Sequence, residues 1–193
     1  MEFFDFSDKD IIPKKGDVLI SEPFQADPNF MRTVIILCEH NDDGSIGFVL
    51  NKPAALKLKD IITEFKGIDQ EVFIGGPVQQ DTLHFIHRKG SLMEGSAKIA
   101  EGLYWGGNFD ELTFLLKDKL VNSQDFKFFV GYSGWAPGQL MEEIEMNSWV
   151  ISRNVNIGQV FDTDATMLWK EVLENLGGKF KVISNYPVDP RLN

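Results

Sequence analysis

Cysteine is nearly absent from this chain, which has a single one, Cys38, among its 193 residues. No intrachain disulfide can form, and this is typical of proteins from a reducing compartment. Cys38 ends a continuously apolar run, and nothing in its surroundings indicates an activated thiol. We therefore interpret Cys38 as a small buried hydrophobic residue rather than as a nucleophile.

Long apolar runs and an excess of positive charge are also missing. No run approaches the roughly 18 residues that a membrane-spanning helix needs, and residues 1–10 lack the basic region and apolar core of a signal peptide. The 19 Lys and Arg against 29 Asp and Glu give a net charge of −10, which opposes binding to duplex DNA or an anionic membrane. We expect a cytoplasmic protein that binds no membrane and does not bind nucleic acid directly.

Histidine is scarce as well, and the common metal-binding spacings are missing. The three histidines are His40, His84 and His87, and neither Cys-x-x-Cys nor His-Glu-x-x-His occurs. The segment around His84 and His87 has the pattern of a strand, on which these two residues point to opposite faces. The sequence therefore predicts no metal site and no cofactor.

The residues that are present predict one α+β domain. Hydrophobic residues make up 43% of the chain, 16 residues are Phe, and the length suits a single domain over 16–193 behind an N-terminal arm over 1–15. Apolar runs predict strands at 18–20, 33–38, 46–50, 72–74, 82–87, 126–130, 149–151 and 160–161, and one or two more within 97–105. Helical spacing predicts helices at 58–65, 112–120, 139–146 and 168–176. Asn108 and Glu111 have the spacing of a capping box for the second of these helices. Asp162 or Thr163 is predicted to cap the last helix, and Gly177 to end it. Because strands and helices do not alternate strictly, this order favours a mixed sheet with helices packed on it.

The richest motif is the segment Gly131–Leu140, where glycine and proline frame Tyr132, Ser133 and Trp135. It lies between a predicted strand and a predicted helix, where free backbone N–H groups collect. Trp135 is either an exposed anchor for a partner or a plug beneath the loop, and the sequence leaves both open. The acidic start of the next helix suits the helix dipole and could also face a basic partner.

Two further features have a functional and a structural interpretation. Ser133 sits in a strand–turn–helix context like a nucleophile elbow, but its second glycine comes one residue too early and no histidine follows it. Gly75-Gly76 could cradle an anion, but it lacks the lysine of a phosphate-binding loop. We therefore favour backbone packing for both glycines and a backbone hydrogen bond for Ser133.

Several segments together resemble one family of bacterial proteins. They are 34–37 with His40 and Asn41, 47–53, 75–78, Leu83 with His87, the segment Gly131–Leu140, 143–144 and Trp149. In order and spacing, over 16–176, the chain resembles the YqgE/AlgH family. The resemblance implies an α+β domain whose mixed, mostly antiparallel sheet curls into a partial barrel. It also implies a label of transcriptional regulator, and no established catalytic residues; Met141 stands where the family often has an acid.

We expect a binding or regulatory module with an unknown protein or small-molecule partner. The alternative is a small hydrolase that uses Ser133 or a histidine, and direct DNA binding is disfavoured because no basic helix or helix-turn-helix is readable. The candidate binding residues are Asn51, Gly75, Gly76, His87, Tyr132, Ser133, Trp135, Gln139 and Glu143.

Overall fold

Antiparallel strand pairing organises the computed structural model of this protein, which describes residues 11–153 and 156–188. Within those residues, one connected sheet has ten strands: β1 Val18–Ser21, β2 Val34–Asn41, β3 Gly44–Val49, β4 Pro53–Lys57, β5 Glu71–Ile74, β6 Val78–His87, β7 Ala97–Ala100, β8 Leu103–Trp105, β9 Phe126–Trp135 and β10 Trp149–Ser152. The helices are α1 Leu58–Ile61, α2 Phe109–Lys117, α3 Gln139–Glu145, α4 Ile157–Asp162, α5 Ala165–Leu176 and α6 Gly178–Ile183. The predicted arm over 1–15 lies largely outside the described residues.

The sheet runs in the order β10-β1-β2-β3-β9-β6-β8-β7, and every neighbouring pair on this path is antiparallel. β4 pairs with β5, and β5 lies parallel to β9. The predicted α+β domain with a mixed, mostly antiparallel sheet is thus confirmed. In the described part of the chain the end strands β10 and β7 do not pair, so the sheet is open. The expectation that it curls into a partial barrel is wrong.

Burial on both faces explains the continuous apolar run of β2. Val34 and Ile36 pack into a core beneath α4 and α5, whereas Ile35 and Leu37 pack into a second core beneath α3. Alternate residues of a strand point to opposite faces, so a run without polar residues requires cover on both sides. Cys38 is 2% exposed in the first core, which confirms its interpretation as a buried residue, and burial raises the pKa of its thiol well above the usual range.

Helix boundaries follow the predicted caps only in part. The Asn108 Oδ1 accepts hydrogen bonds from the backbone N–H groups of Asp110 and Glu111, as predicted for the start of α2. The Glu111 carboxylate, however, accepts from the backbone N–H of Glu94, so the reciprocal half of the capping box is not formed. The cap of α5 is Asp164 rather than Asp162 or Thr163.

Two predicted elements have a different structure. The strand predicted at 160–161 is part of α4, because Asn156 caps a helix there and two apolar residues are too few to define a period. The helix predicted at 58–65 divides into α1 and a 3-10 turn, Thr63–Phe65. The longest described helix, α5, has 12 residues, and no helix in the described ranges is long and apolar enough to cross a membrane.

β9 is the strand that places the candidate site. It continues through Trp135 rather than ending near Val130, because Ser133 and Trp135 pair with β3 while the first part of β9 pairs with β6 and β5. The sharp break into a helix predicted inside the motif therefore comes later, in the turn at 136–138 before α3. Among the described residues, three cores meet at this strand, which contributes Phe129 to the first, Trp135 to the second, and Phe126 and Phe128 to a third.

Candidate functional site

The turn between β9 and α3 is closed by Gln139. Its side-chain oxygen accepts a hydrogen bond from the backbone N–H of Ala136 at 3.0 Å, and its amide nitrogen donates to Glu143 at 2.9 Å. Gly138 takes a φ of +80°, which favours glycine. Gln139 is therefore a structural residue of the turn, although its side chain is exposed.

Trp135 is a plug rather than an exposed anchor. Only 5% of Trp135 is exposed, and its ring meets that of Trp149 edge-on at 6.0 Å between centroids. One carboxylate oxygen of Glu143, Oε2, accepts hydrogen bonds from the indole N–H groups of Trp135 at 2.9 Å and of Trp149 at 2.7 Å. Of the two interpretations left open by the sequence, burial beneath the loop is the one confirmed.

Ser133 is fully buried, and its hydroxyl donates to the backbone carbonyl of Gly75 at 3.0 Å. The structure does not bring Ser133 and His87 together. His87 pairs with Phe126, which precedes Ser133 by seven residues on β9. At about 3.3 Å per residue, seven residues of strand separate the two positions by about 23 Å. The backbone hydrogen bond favoured from the sequence is the observed role of Ser133.

Gly75 and Gly76 allow two backbone segments to approach closely. A Cβ on Gly75 would lie 2.4 Å from the carbonyl oxygen of Gly131, and one on Gly76 would lie 2.3 Å from the backbone of Tyr132. The N–H of Gly75 donates to the Val130 carbonyl at 2.9 Å, so it is used within the sheet. The packing role favoured from the sequence is thus confirmed.

His87 is buried between two aromatic rings, Tyr104 at 5.7 Å and Phe126 at 5.6 Å between centroids. Its Nε2–H donates to the Gly106 carbonyl at 3.0 Å, and its Nδ1 accepts from the backbone N–H of Lys89 at 3.3 Å. A carbonyl only accepts, so the neutral ring carries its proton on Nε2. Burial lowers the pKa of His87, and this effect exceeds the opposing effect of the hydrogen bond to the Gly106 carbonyl, so the pKa lies below its ordinary value.

His84 lies apart from His87, as predicted for two residues on opposite faces of one strand. Its ring contacts those of Phe48 at 5.3 Å and Tyr132 at 5.9 Å between centroids. Within the described ranges, no cluster of His, Cys, Asp and Glu has the geometry to hold a metal ion.

Asn51 ties the end of β3 to the beginning of β2. Its side-chain oxygen accepts from the backbone N–H of Val34, and its amide donates to the carbonyl of Arg32, both at 2.9 Å. Because both polar atoms of the amide are used, Asn51 holds two chain segments together.

An open groove of about 370 Å³ lies beside Tyr132, between the tip of the β2–β3 hairpin and the last residues of β9. We call it the acidic groove; its lining residues are Glu39, Asn41, Asp43, Gly44, Ser45, Ile46, Val78, Tyr132, Gly134 and Trp135. Two of these carry carboxylates and none is basic. Of the predicted site residues, the groove brings together only Tyr132 and Trp135.

The hairpin side of the acidic groove contains none of the binding residues predicted from the sequence. Its one available signal in the sequence is the pair of neighbouring acids, Asp42 and Asp43. The Glu39 carboxylate accepts from the side-chain amide of Asn41, whose own oxygen accepts from the backbone N–H of Asp43, both at 2.8 Å. On the groove wall, Ser45 Oγ lies 2.7 Å from Nδ1 of His40.

Comparison with known sequences identifies the family. The sequence profile described as AlgH-like matches residues 18–181. The chain belongs to the AlgH-like family. This AlgH-like protein is 43% identical over 180 residues to a UPF0301 protein of Cytophaga hutchinsonii, covering 93% of this chain and 98% of that relative. It is 38% identical over 182 residues to one from Chlorobaculum tepidum, covering 94% and 97%.

Solved structures of similar proteins share the fold. A crystal structure of a protein from Corynebacterium diphtheriae superposes with a TM-score of 0.78 at 23% identity, covering 91% of this chain and 94% of the other. The solution structure of the AlgH protein from Pseudomonas aeruginosa superposes with a TM-score of 0.70 at 27% identity, covering 90% and 94%. The family predicted from the motifs is thus confirmed for this AlgH-like protein.

Proposed function

We propose that this AlgH-like protein is a non-catalytic binding module that holds a positively charged segment of a partner protein in the acidic groove. The observation that carries the proposal is the composition of that groove, in which Glu39 and Asp43 face the same space with no basic residue among its lining. Charge complementarity of this kind selects partners and accelerates their association. The net charge of −10 adds a long-range attraction for the same partner.

The hairpin side of the groove is held in place before any ligand binds. The hydrogen bonds from Asn41 to Glu39 and from Asp43 to Asn41 order the tip. Ordering these groups beforehand reduces the entropy lost on binding. The groove therefore offers the Glu39 carboxylate at a fixed position, beside a hairpin tip whose backbone is held at Asp43.

The β9 side of the groove supplies an aromatic surface. The half-buried ring of Tyr132 is oriented by its edge-on contact with His84, at 81° between the ring planes. A lysine or arginine side chain beside such a ring gains a cation–π interaction in addition to its ion pairs. A regulatory role of the kind implied by the family label would act through this basic partner rather than through DNA.

The proposal is tested by following backbone amide signals in an NMR titration with a lysine-rich peptide. We expect shifts centred on 41–46 and 132–135, and binding that weakens as salt is added. The double variant E39Q/D43N should bind roughly fivefold more weakly, because each exposed ion pair contributes about 0.2–1 kcal/mol. The control E145Q/D110N removes the same charge from α3 and α2 and should bind like the wild type.

Two results would contradict the acidic groove as the binding site. One is an equal loss of affinity in both double variants, which would assign binding to net charge alone. The other is a set of shifted amides elsewhere in the sheet, with those of the groove unmoved. A glutamate-rich peptide serves as the matched ligand control and should produce no shifts.

A hydrolase is the second candidate, because the groove contains a serine beside a histidine. The pair is Ser45 and His40 rather than the predicted Ser133, and Oγ lies 2.7 Å from Nδ1, within the range of a nucleophile and its base. If this pair is catalytic, a fluorophosphonate probe should label folded wild type and S133A equally but not S45A. Unlabelled wild type would eliminate this second function.

A further inference from the structure

Lys127 is a buried amine on the wall of a second cavity, at the opposite end of β9 from Tyr132. Only 5% of the residue is exposed, and the cavity beside it has a volume of about 640 Å³. We call it the Lys127 cavity. It shares no lining residue with the acidic groove, so the two sites rest on separate observations.

The amine of Lys127 is poorly satisfied for a buried group. Its Nζ donates to the backbone carbonyl of Val160 at 3.1 Å and lies 4.0 Å from the ring centroid of Phe73. Among the described residues, no carboxylate oxygen lies within 4.0 Å of this Nζ, the distance that defines an ion pair. A lysine ammonium has three N–H donors, and leaving donors unpaired in a buried site costs free energy.

Four carboxylates line the cavity, and three of them already bind other groups of the protein. Asp69 pairs with Lys57 and Lys59, and Asp162 pairs with Arg88 at 2.6 Å. Asp164 caps α5 through the backbone N–H of Thr166. Glu71 is the fourth acid that lines the cavity.

Burial lowers the pKa of Lys127 to about 8, while Glu71 and Asp162 partly oppose this effect. About a quarter of the amine is then unprotonated at pH 7.5, against roughly one part in a thousand for an ordinary lysine. A neutral amine beside an open cavity is a nucleophile, and burial is one established way to produce it.

We infer that Lys127 forms an imine with a small, uncharged carbonyl compound that binds in this cavity. The neutral Nζ attacks the carbonyl carbon to form a carbinolamine. The two hydrogens of the amine then leave with the carbonyl oxygen as one water molecule, and a C=N bond remains. No oxidant or further co-reactant is needed.

The cavity lining selects the class of carbonyl compound. Rings of Phe73, Phe126 and Phe161 give it an apolar surface that suits an aromatic or aliphatic body. The four carboxylates disfavour an anionic compound by repulsion. An aromatic aldehyde therefore fits the site better than a keto or aldehydic acid.

The test uses benzaldehyde with sodium cyanoborohydride, which reduces an imine to a stable secondary amine, followed by peptide mapping. At pH 7.5 we expect Lys127 to be labelled at least tenfold faster than the exposed Lys66 and Lys117 of the same molecules. Its rate should rise through pH 8, whereas the rates of exposed lysines should keep rising toward pH 10. The variant K117M should leave the labelling of Lys127 unchanged, and K127R should abolish it.

Three results would overturn the inference. They are labelling of Lys127 no faster than of the surface lysines, a rate without an inflection near pH 8, and faster labelling by glyoxylate than by benzaldehyde. Because the readout is a site-resolved mass in the wild type, the test holds even if the K127R variant is unstable. Failure here would leave the acidic groove untouched, since that site is measured by peptide binding.

Discussion

Glu143 shows how one residue can organise a whole site. Its carboxylate accepts hydrogen bonds from the side chains of Trp135, Trp149 and Gln139. It thereby connects α3 to the last residue of β9 and the first residue of β10. Hydrogen bonds to a charged acceptor are stronger than those between neutral groups. The carboxylate therefore keeps two large indole rings in a single arrangement beneath the turn.

Replacing Glu143 by alanine should lower the free energy of unfolding by about 2–4 kcal/mol. The reason is that two buried indole N–H groups lose their acceptor, at about 1–3 kcal/mol each. Urea unfolding followed by tryptophan fluorescence measures the change. The matched control is E145A on the same helix, which is exposed and should change stability by less than about 0.5 kcal/mol. Equal effects of the two variants would show that the indole bonds contribute little.

At the scale of elements, the pairing of β9 explains why the neighbouring residues 75 and 76 are both glycine. β9 pairs with β3, β6 and β5 within the described ranges, so three strands converge on one backbone. Close approach of backbones leaves no room for a Cβ, and glycine is the residue that permits it. A double glycine that suggested an anion cradle is instead a packing requirement.

The variant G75A should destabilise the protein by about 3 kcal/mol or more. Its Cβ would meet the Gly131 carbonyl at 2.4 Å and the Phe48 ring at 2.9 Å, and a packed sheet cannot yield by that much. The control is G67A, where φ is +101° but no atom lies within 4 Å, so only the backbone preference costs about 1 kcal/mol. Thermal unfolding compares the two. A larger loss in G67A would refute steric exclusion as the reason for Gly75.

At the scale of the whole molecule, acid should destabilise the fold through His84 and His87. Burial lowers the pKa of both His84 and His87 below the ordinary value of 6.5. The unfolded chain therefore binds more protons than the folded protein as the pH falls through 6.5. The free energy of unfolding is highest above this pH and decreases below it.

The fall in stability between pH 7.5 and pH 5.5 should be smaller in H87Q than in the wild type. Glutamine keeps an N–H donor for the Gly106 carbonyl but does not titrate, so one source of the pH dependence is removed. Urea midpoints at several pH values measure the difference, and H84Q provides the same test for the half-buried histidine. Parallel pH profiles in all three proteins would assign the acid sensitivity to other groups.

The local sequence was sufficient for most strands, for the start of α2, for the end of α5, and for the family. Apolar periodicity acts over a few positions, so β2 and β3 are readable in order. The same holds for Asn108 as a cap and Gly177 as a stop. The two-residue run at 160–161 was misread because so short a pattern fits a strand or a helix equally well.

The composition of the site was decided only by the tertiary structure. The sequence by itself determined that the chain is an acidic α+β domain of the AlgH-like type, because charge, periodicity and motifs are properties of neighbouring residues. Strand pairing between distant segments decides three features of the site. Trp135 is buried, Glu39 and Asp43 line one groove with Tyr132, and Lys127 lines a cavity. Such pairing is set by packing across the sheet, which no local pattern records.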